Sequence, residues 1–308
     1  MKGNRRRFLE GIAASGGALF FSLPSKASPS VEYFPGWPER FGMLMDLSLC
    51  IGCRKCEEAC KAANQLPPLK APLEDQSVFE RERRTDAENY TVVNRYPNPQ
   101  PERPPFYAKK QCMHCEEPAC ASACLVGALS KSPEGAVVYD KNICLGCRYC
   151  MIACPFSIPA YEYFNPTSPQ VRKCTLCHER ISRKETPACA KICPNEAITF
   201  GKRSELIKLA SEKIRNHPAK YQDHIYGVNE AGGTSWLYIS EAPFATLGFP
   251  MDLGTKPFPE YTRGFLSVVP AVFVIWPALL GGMYAFTQSR QQPEKAVYRN
   301  QADRSETV

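Results

Sequence analysis

The stretch CIGCRKCEEAC at residues 50–60 places four cysteines in the pattern C-x2-C-x2-C-x3-C. The stretch CLGCRYCMIAC at residues 144–154 repeats this spacing. Two further groups keep the leading C-x2-C and the closing C-x3-C but widen the middle gap, to four residues within 112–124 and to eleven residues within 174–193. All sixteen cysteines of the chain therefore fall into four groups of four.

This spacing is typical of thiolates that hold 4Fe-4S clusters. Three thiolates on one short loop can hold three corners of a cubane. The cysteine four residues after the third lies one helical turn further on and faces a neighbouring cluster. Each group then gives three ligands to one cluster and one ligand to its neighbour. The sequence predicts four 4Fe-4S clusters in two pairs.

Disulfides and zinc sites are the alternative uses of these cysteines. Disulfide scaffolds are usually small domains, whereas a chain of 308 residues can bury a core without cross-links. Zinc accepts C-x2-C pairs, but four zinc sites require neither a C-x3-C in every group nor a C-x2-C-x2-C. Iron-sulfur binding is the favoured hypothesis, and a structural zinc or disulfide protein is the remote alternative.

Much of the positive charge lies at the amino terminus. The formal net charge is +7. Residues 1–27 hold five basic residues against Glu10 alone, so only a small excess of positive charge is spread over the remaining chain. Such a small excess of positive charge is typical of an ordinary solvated surface, and nucleic acid is not an expected partner.

Residues 1–27 have the features of an export signal. The sequence NRRRFL at residues 4–9 precedes a modest apolar stretch (11–23) and small residues suited to cleavage. The paired arginines followed by Phe8 and Leu9 resemble the twin-arginine signal, which exports proteins already folded with their cofactors. The body of the chain is therefore expected on the periplasmic side of the bacterial inner membrane.

A second apolar stretch, residues 265–286, contains 22 residues without a charge. At about 1.5 Å per residue, a helix of this length spans roughly 33 Å, enough for a hydrocarbon core of about 30 Å. Pro270 and Pro277 are tolerated in membrane helices. The tail 287–308 is basic, and the positive-inside tendency assigns it to the cytoplasm. The sequence predicts one transmembrane helix at 265–286, with a buried core helix as the alternative.

Residues 28–203 form the predicted four-cluster ferredoxin-type domain. A short strand at 42–46 leads into the first cysteine loop, and strands at 135–139 and 197–200 follow later ones. The predicted fold class is α+β: two ferredoxin-like 4Fe-4S modules with long loop insertions, plus one C-terminal transmembrane helix.

One connector within this domain, residues 61–108, is rich in proline and charge. It is predicted to be a partner-contacting insertion with a strand at 90–93.

Residues 204–262 follow the cysteine groups and are predicted to form a helix and an extended arm. Ser204 is the expected N-cap of the helix, which ends before Pro218 and packs one apolar face on the cluster domain. Residues 219–262 are interpreted as an arm around a partner or a tether, with one strand at 236–239.

Several motifs beyond the cysteines carry a family resemblance. They are KKQCMHC at 109–115, GCRYCM at 146–151 and HIYG at 224–227. With the leader and the C-terminal span, the chain resembles the periplasmic iron-sulfur subunits of hydrogenase-2 type nickel-iron hydrogenases. The cysteine pattern is also similar to that of the electron-transfer subunits of formate dehydrogenases, polysulfide reductases and related molybdenum enzymes.

The resemblance implies that the first group pairs with the fourth and the second with the third. We name the implied ligand sets by number: set 1 is Cys50, Cys53, Cys56 and Cys193, and set 2 is Cys60, Cys174, Cys177 and Cys189. Set 3 is Cys112, Cys115, Cys120 and Cys154, and set 4 is Cys124, Cys144, Cys147 and Cys150. Sets 1 and 2 form the outer pair, and sets 3 and 4 form the inner pair. Every position holds cysteine, so four 4Fe-4S clusters are expected.

The resemblance also implies a function as an electron relay. The clusters would connect a hydrogenase large and small subunit, or a molybdopterin catalytic subunit, with a quinone-reactive integral membrane subunit. The chain would be held at the membrane by its own C-terminal helix. No nucleotide loop, nickel site or nucleophile-base set is evident, so no catalytic residue is expected.

Basic residues and one histidine lie beside the cysteine loops. Lys109, Lys110, Arg172 and Lys173 precede two of the loops. A positive charge there would raise a cluster's potential, and Lys110→Gln is expected to lower one midpoint potential. A solvated basic face is the alternative. His114 is expected either to donate a hydrogen bond that tunes a cluster or to serve in packing; His178, His217 and His224 lack metal-ligand spacing.

Overall fold

The computed structural model describes residues 39–305, with side chains described for residues 39–288. The predicted export signal at 1–27 lies outside the described residues. The described part is a mixed α/β fold that ends in a long apolar helix, which confirms the coarse fold class.

The strands, in chain order, are β1 (Phe41–Asp46), β2 (Thr91–Tyr96), β3 (Phe106–Gln111), β4 (Leu129–Lys131), β5 (Val137–Tyr139), β6 (Ala160–Tyr161), β7 (Val171–Arg172), β8 (Ile198–Lys202) and β9 (Trp236–Ile239). The helices are α1 (Lys55–Ala63), α2 (Ala119–Ser122), α3 (Tyr149–Ala153), α4 (His178–Ser182), α5 (Ala188–Lys191), α6 (Arg203–Asn216) and α7 (Phe258–Ser305). The strands expected at 42–46, 90–93, 135–139, 197–200 and 236–239 all lie within or overlap these elements.

A three-stranded sheet in the order β8-β1-β9 forms the centre of the fold. Strand β1 pairs antiparallel with β8 and parallel with β9, so Met43 lies between Phe200 and Trp236. Five of its six residues are buried, which explains its nearly continuous apolar sequence. The strand pairs β2-β3, β4-β5 and β6-β7 are antiparallel and form three separate two-stranded sheets.

Helix α6 packs on one face of the central sheet. Its buried residues Leu206, Ala210 and Ile214 contact Leu44 of β1 and Leu237 of β9, as the apolar face predicted. The helix ends before Pro218, also as predicted.

The predicted N-cap of α6 is wrong. The cap is Lys202, which has an extended backbone and a side chain that makes no capping hydrogen bond. Strand β8 runs directly into the helix, and the Arg203 N–H donates to the Arg40 carbonyl at 2.8 Å. Because the Arg40 carbonyl accepts the hydrogen bond of the Arg203 N–H, the helix begins at Arg203 and Ser204 lies inside it.

The structure corrects the interpretation of residues 219–262 as an arm or tether. Strand β9 is buried along its whole length. Tyr226, Phe244 and Phe249 belong to the main core with Trp236 and Tyr238. These side chains are buried at irregular intervals, so neither a helical nor a strand period marks the segment in the sequence.

The connector 61–108 packs closely on α1. The Glu57 carboxylate accepts a hydrogen bond from the Val93 N–H at 2.6 Å and forms an ion pair with Arg83, also at 2.6 Å. Lys61 is 6% exposed and donates to the carbonyls of Pro67 and Glu88. The connector is therefore an ordered cover over the first cysteine loop.

Helix α7 contains the apolar segment that the sequence predicted. Its portion Phe258–Gln288 is long and apolar enough to cross a membrane; a window of 18 residues within it has a mean hydropathy of 2.0, and none of that window is buried in the protein. Pro270 and Pro277 lie inside the helix without ending it, and the helix continues to Ser305.

Candidate metal centres

The four cysteine loops share one backbone feature. In each leading C-x2-C, the residue before the second cysteine has a positive φ: Gly52 (70°), His114 (49°), Gly146 (70°) and Leu176 (54°). This left-handed turn brings backbone amides toward the cysteine sulfurs. The N–H of Gly146 donates to the Cys144 Sγ, and the N–H of Leu176 to the Cys174 Sγ, both at 3.4 Å. Such concave runs of N–H groups stabilise an anion.

The cysteines of the outer pair line two small cavities. All four members of set 1 line one cavity, together with Met45 and Ile198. All four members of set 2 line another, together with Met43, Lys109 and Trp236. Four thiols around an apolar cavity match the ligands of a cubane.

The members of each inner set also lie close together. In set 3, burial raises the pKa of Cys115, and the other three members raise it further. In set 4, burial and then the other three members raise the pKa of Cys150 to about 11. Iron binds thiolates, so cluster binding has to displace the protons of these thiols.

Neighbouring sets adjoin one another in the order 1, 2, 3, 4. Helix α1, which carries Cys56 and Cys60, packs on α5, which carries Cys189, and Cys120 and Cys150 belong to one apolar cluster. Cys112 of set 3 lies near enough to Cys174 of set 2 to raise its pKa in addition to the larger effect of burial. Each set therefore adjoins the next one in the series.

Residues 105–203 match the 4Fe-4S dicluster domain family. A protein of Nitratidesulfovibrio vulgaris strain Hildenborough is 48% identical over 290 residues, which cover 94% of this chain and 78% of that protein. The hydrogenase-2 operon protein HybA of Escherichia coli O157:H7 is 37% identical over 286 residues, covering 82% of this chain and 86% of HybA.

The iron-sulfur subunit of the nitrate-inducible formate dehydrogenase of Escherichia coli K12 is 34% identical over 216 residues, 68% of this chain and 72% of that subunit. The chain belongs to this family of 4Fe-4S subunits. Its cofactors are 4Fe-4S clusters, as the cysteine spacing predicted.

Two adjacent lysines of this 4Fe-4S subunit point to opposite faces of β3. Lys109 is 1% exposed and lines the cavity of set 2. Lys110 donates to the carbonyls of Leu247 and Gly248 and lies over the Phe249 ring, 3.7 Å from its centroid. Burial lowers the pKa of Lys110 to about 8. Strand alternation thus separates the two side chains.

This separation corrects the expectation that Lys110→Gln lowers a cluster potential, because Lys109 is the lysine near the cysteines. The other two basic residues also differ in their contacts. Arg172 forms an ion pair with Glu162 at 2.5 Å. Lys173 donates to the Val137 carbonyl and to the Cys174 carbonyl.

His114, in the second cysteine loop, is fully buried. Its Nδ1 accepts a hydrogen bond from the Val137 N–H at 2.8 Å, so its ring proton lies on Nε2. Burial, with Lys173 and Lys131 nearby, lowers its pKa far below the usual value, which keeps the ring neutral. His114 therefore holds a loop by a backbone contact and does not supply a positive charge.

Two features of the site are not evident from the sequence. Glu116 is 3% exposed and lies within 4 Å of Arg40, Lys131 and Arg203, so a buried ion network lies beside set 3. Trp236 forms a wall of the cavity of set 2. The predicted strand at 236–239 gave the position of Trp236, but nothing in its local sequence indicates which cysteines it contacts.

Proposed function

We propose that the chain is the electron-transfer subunit of an oxidoreductase complex and relays electrons through four 4Fe-4S clusters. The observation that carries this proposal is the continuous order of the four cysteine sets. Each cluster would accept one electron from its neighbour and pass it on, without a bound substrate. The relatives HybA and the formate dehydrogenase iron-sulfur subunit support it.

The proposed ligands are those of sets 1 to 4, arranged as two ferredoxin-like modules, one for each pair of sets. The cavities lined by sets 1 and 2 support the outer assignments. The mutual effects of the cysteines in sets 3 and 4 support the inner ones. Residues 28–203 would constitute the cluster domain.

The two ends of the series have apolar surfaces suited to partners. At set 1, Ile51 is 56% exposed, and Ile192 is also exposed. At set 4, Leu125, Leu145 and Ile152 are each more than 70% exposed, and Cys147 is exposed. Helix α2, which carries Cys120 of set 3 and ends two residues before Cys124 of set 4, contacts α7. We assign the set 4 end to the integral membrane partner and the set 1 end to the catalytic partner.

We assign the chain to the periplasmic side of the bacterial inner membrane. The twin-arginine signal at 1–27, the apolar part of α7 and the basic residues of 287–308 support this location. The connector 61–108 would contact the catalytic partner, because it covers the loop of set 1.

A nickel-iron hydrogenase is the proposed catalytic partner, and the quinone-reactive subunit is the proposed membrane partner. HybA matches more of this chain than the formate dehydrogenase subunit does, 82% against 68%. The presence of both an export signal and a C-terminal span in one chain also favours hydrogenase. A molybdenum enzyme such as formate dehydrogenase is the second candidate, supported by the 34% identity to its iron-sulfur subunit.

Metal analysis of the membrane complex purified through this chain distinguishes the two candidates. Nickel in stoichiometric amount is expected, and molybdenum or tungsten in its place would contradict the hydrogenase assignment. The relay itself is tested with Cys147→Ser. Hydrogen should still reduce the clusters of sets 1 to 3, but quinone reduction should be lost; quinone reduction at the normal rate would contradict the relay.

A further inference from the structure

Lys109 is a buried cation in an unusual position. Its Nζ donates a hydrogen bond to the Gln111 Oε1 at 2.9 Å and lies 4.5 Å from the centroid of the Trp236 ring. The Gln111 amide in turn donates to the Tyr238 hydroxyl. These contacts fix the ammonium group on the side of β3 that faces the outer pair.

Lys109 forms no ion pair with a carboxylate of residues 39–288, whereas the buried Arg40 and Arg54 do. Lys61 and Lys173 are also buried without an ion pair to a described carboxylate, but each donates to two backbone carbonyls. Lys131 lies 3.6 Å from Glu116, and Arg54 lies 3.4 Å from Glu57. An uncompensated buried charge is costly. Gln111 is neutral, and the Trp236 ring supplies only the negative face of its quadrupole. The compensating negative charge must therefore come from the cysteine sites.

Lys109 lies beside both outer sets. It lines the cavity of set 2, and Val93, its cross-strand partner on β2, lines the cavity of set 1. Residues directly opposite each other in an antiparallel pair project from the same face of the sheet. The Lys109 ammonium group therefore lies on the face that both cysteine sites occupy.

A cubane held by four thiolates is an anion in both oxidation states, and reduction adds a further negative charge. A fixed positive charge in a water-excluded site stabilises the more negative state, so it raises the reduction potential. We propose that Lys109 is a shared charge that raises the reduction potentials of both outer clusters. This inference rests on the proposed function, because it takes sets 1 and 2 as cluster ligands.

Lys109→Gln removes the charge, and Lys109→Arg keeps it. Lys110→Gln is the matched control: it removes the neighbouring lysine, which points to the opposite face. The whole complex is purified with each variant, its iron content is measured, and the clusters are titrated anaerobically with dithionite while electron paramagnetic resonance follows each one.

In Lys109→Gln, the equilibrium constant for reduction of two of the four clusters is expected to fall at least tenfold. For a one-electron couple, this corresponds to a reduction potential lower by about 59 mV. Lys110→Gln should leave all four unchanged, and Lys109→Arg should change them less than Gln does. High salt should not remove the difference, because the charge is buried. Unchanged potentials in Lys109→Gln, a shift of one cluster only, or an equal shift in Lys110→Gln would overturn the proposal.

Loss of iron is also decisive. If Lys109→Gln fails to load iron and Lys109→Arg loads normally, charge at this position is required, as proposed. If both variants fail to load iron, the Lys109 side chain is needed for packing and not for its charge, and the proposal is wrong. The unchanged complex separates this result from the proposed function: fewer than four clusters there would contradict the relay, whereas four clusters with no effect of Lys109→Gln contradict only the shared charge.

Discussion

The loops at residues 50–56 and 144–150 have the same cysteine spacing and nearly the same backbone. Gly52 and Gly146 both have φ of 70°, and Arg54 and Arg148 have φ of 59° and 61° at the starts of their helices. Their surroundings differ. Arg54 is 2% exposed and bonds to Glu57 and two carbonyls of the connector, whereas Arg148 is exposed beside two tyrosine rings.

This difference separates two roles of sequence. Local spacing and the glycine determine the turn that presents three thiols. Residues far away in the chain determine how much water reaches the cluster, which is one of the determinants of its potential. The connector covers part of the loop of set 1, whereas Leu145, Cys147 and Arg148 in the loop of set 4 are exposed.

The strongest test of this comparison removes one thiol from each loop at the equivalent position. Cys53→Ala should lose the set 1 cluster and also destabilise the core, because it leaves a void lined by Met45 and Ile198. Cys147→Ala should lose about a quarter of the iron with little change in fold. Iron analysis and circular dichroism measure both results. An equal loss of circular dichroism signal in the two variants would contradict the conclusion that the loop of set 1 is covered and the loop of set 4 is exposed.

The next largest effect is expected when alanine replaces each of the two equivalent glycines, Gly52 and Gly146. A Cβ at Gly52 would lie 2.4 Å from the body of the Tyr107 ring, in addition to the cost of a positive φ. We expect about 2–4 kcal/mol of lost stability. At Gly146 a Cβ would approach only the Tyr161 hydroxyl at 2.8 Å, which can move, so about 1 kcal/mol is expected. Anaerobic guanidinium titration of each chain gives both values; a larger loss at Gly146 would reverse the comparison.

Replacing the two arginines should give a smaller difference. Arg54→Ala leaves the buried Glu57 with Arg83 as its remaining ionic partner, and we expect a loss of about 2–3 kcal/mol. Arg148→Ala removes an exposed contact with two rings and should cost about 0.5–1 kcal/mol. The same titration measures both. If the two losses agree within error, then the connector does not stabilise the loop of set 1.

The smallest expected effect on stability comes from the exposed apolar residue of each loop. Ile51→Ser and Leu145→Ser should each change the free energy of unfolding by less than about 0.5 kcal/mol. Each should weaken the complex at one end only: Ile51→Ser toward the catalytic partner and Leu145→Ser toward the membrane partner. Subunit content after affinity purification provides the measurement. Loss of the same partner in both variants would contradict the assignment of the two ends.

Sequence alone predicted the parts of this molecule that depend on short-range patterns. The cysteine groups, strand β1, strand β9 and the apolar part of α7 each carry their signal within a few residues. Strand β3 was missed because the proline-rich residues before it obscure its alternation. Lys109 and Lys110 look equivalent in sequence, and only the direction of each side chain from the strand distinguishes them.

The sequence could not predict which segments far apart in the chain contact each other. Residues 219–262 lack a period because they fill gaps between elements that are far away in the chain. Likewise, the N-cap of α6 depends on the Arg40 carbonyl, which lies beyond any local window. The two cavities of the outer pair arise only when α1, α5 and the central sheet meet.

The position of β9 has a consequence for the order of maturation. This strand pairs with β1 at the other end of the described fold, and it is synthesised only after the last cysteine, Cys193. Contacts between such distant segments form late. Trp236 closes one wall of the cavity of set 2, so we expect iron and sulfide to enter before β9 joins the sheet. A chain in which β9 has docked would then be one whose set 2 cluster is already in place, and insertion of this strand would mark the completion of that site.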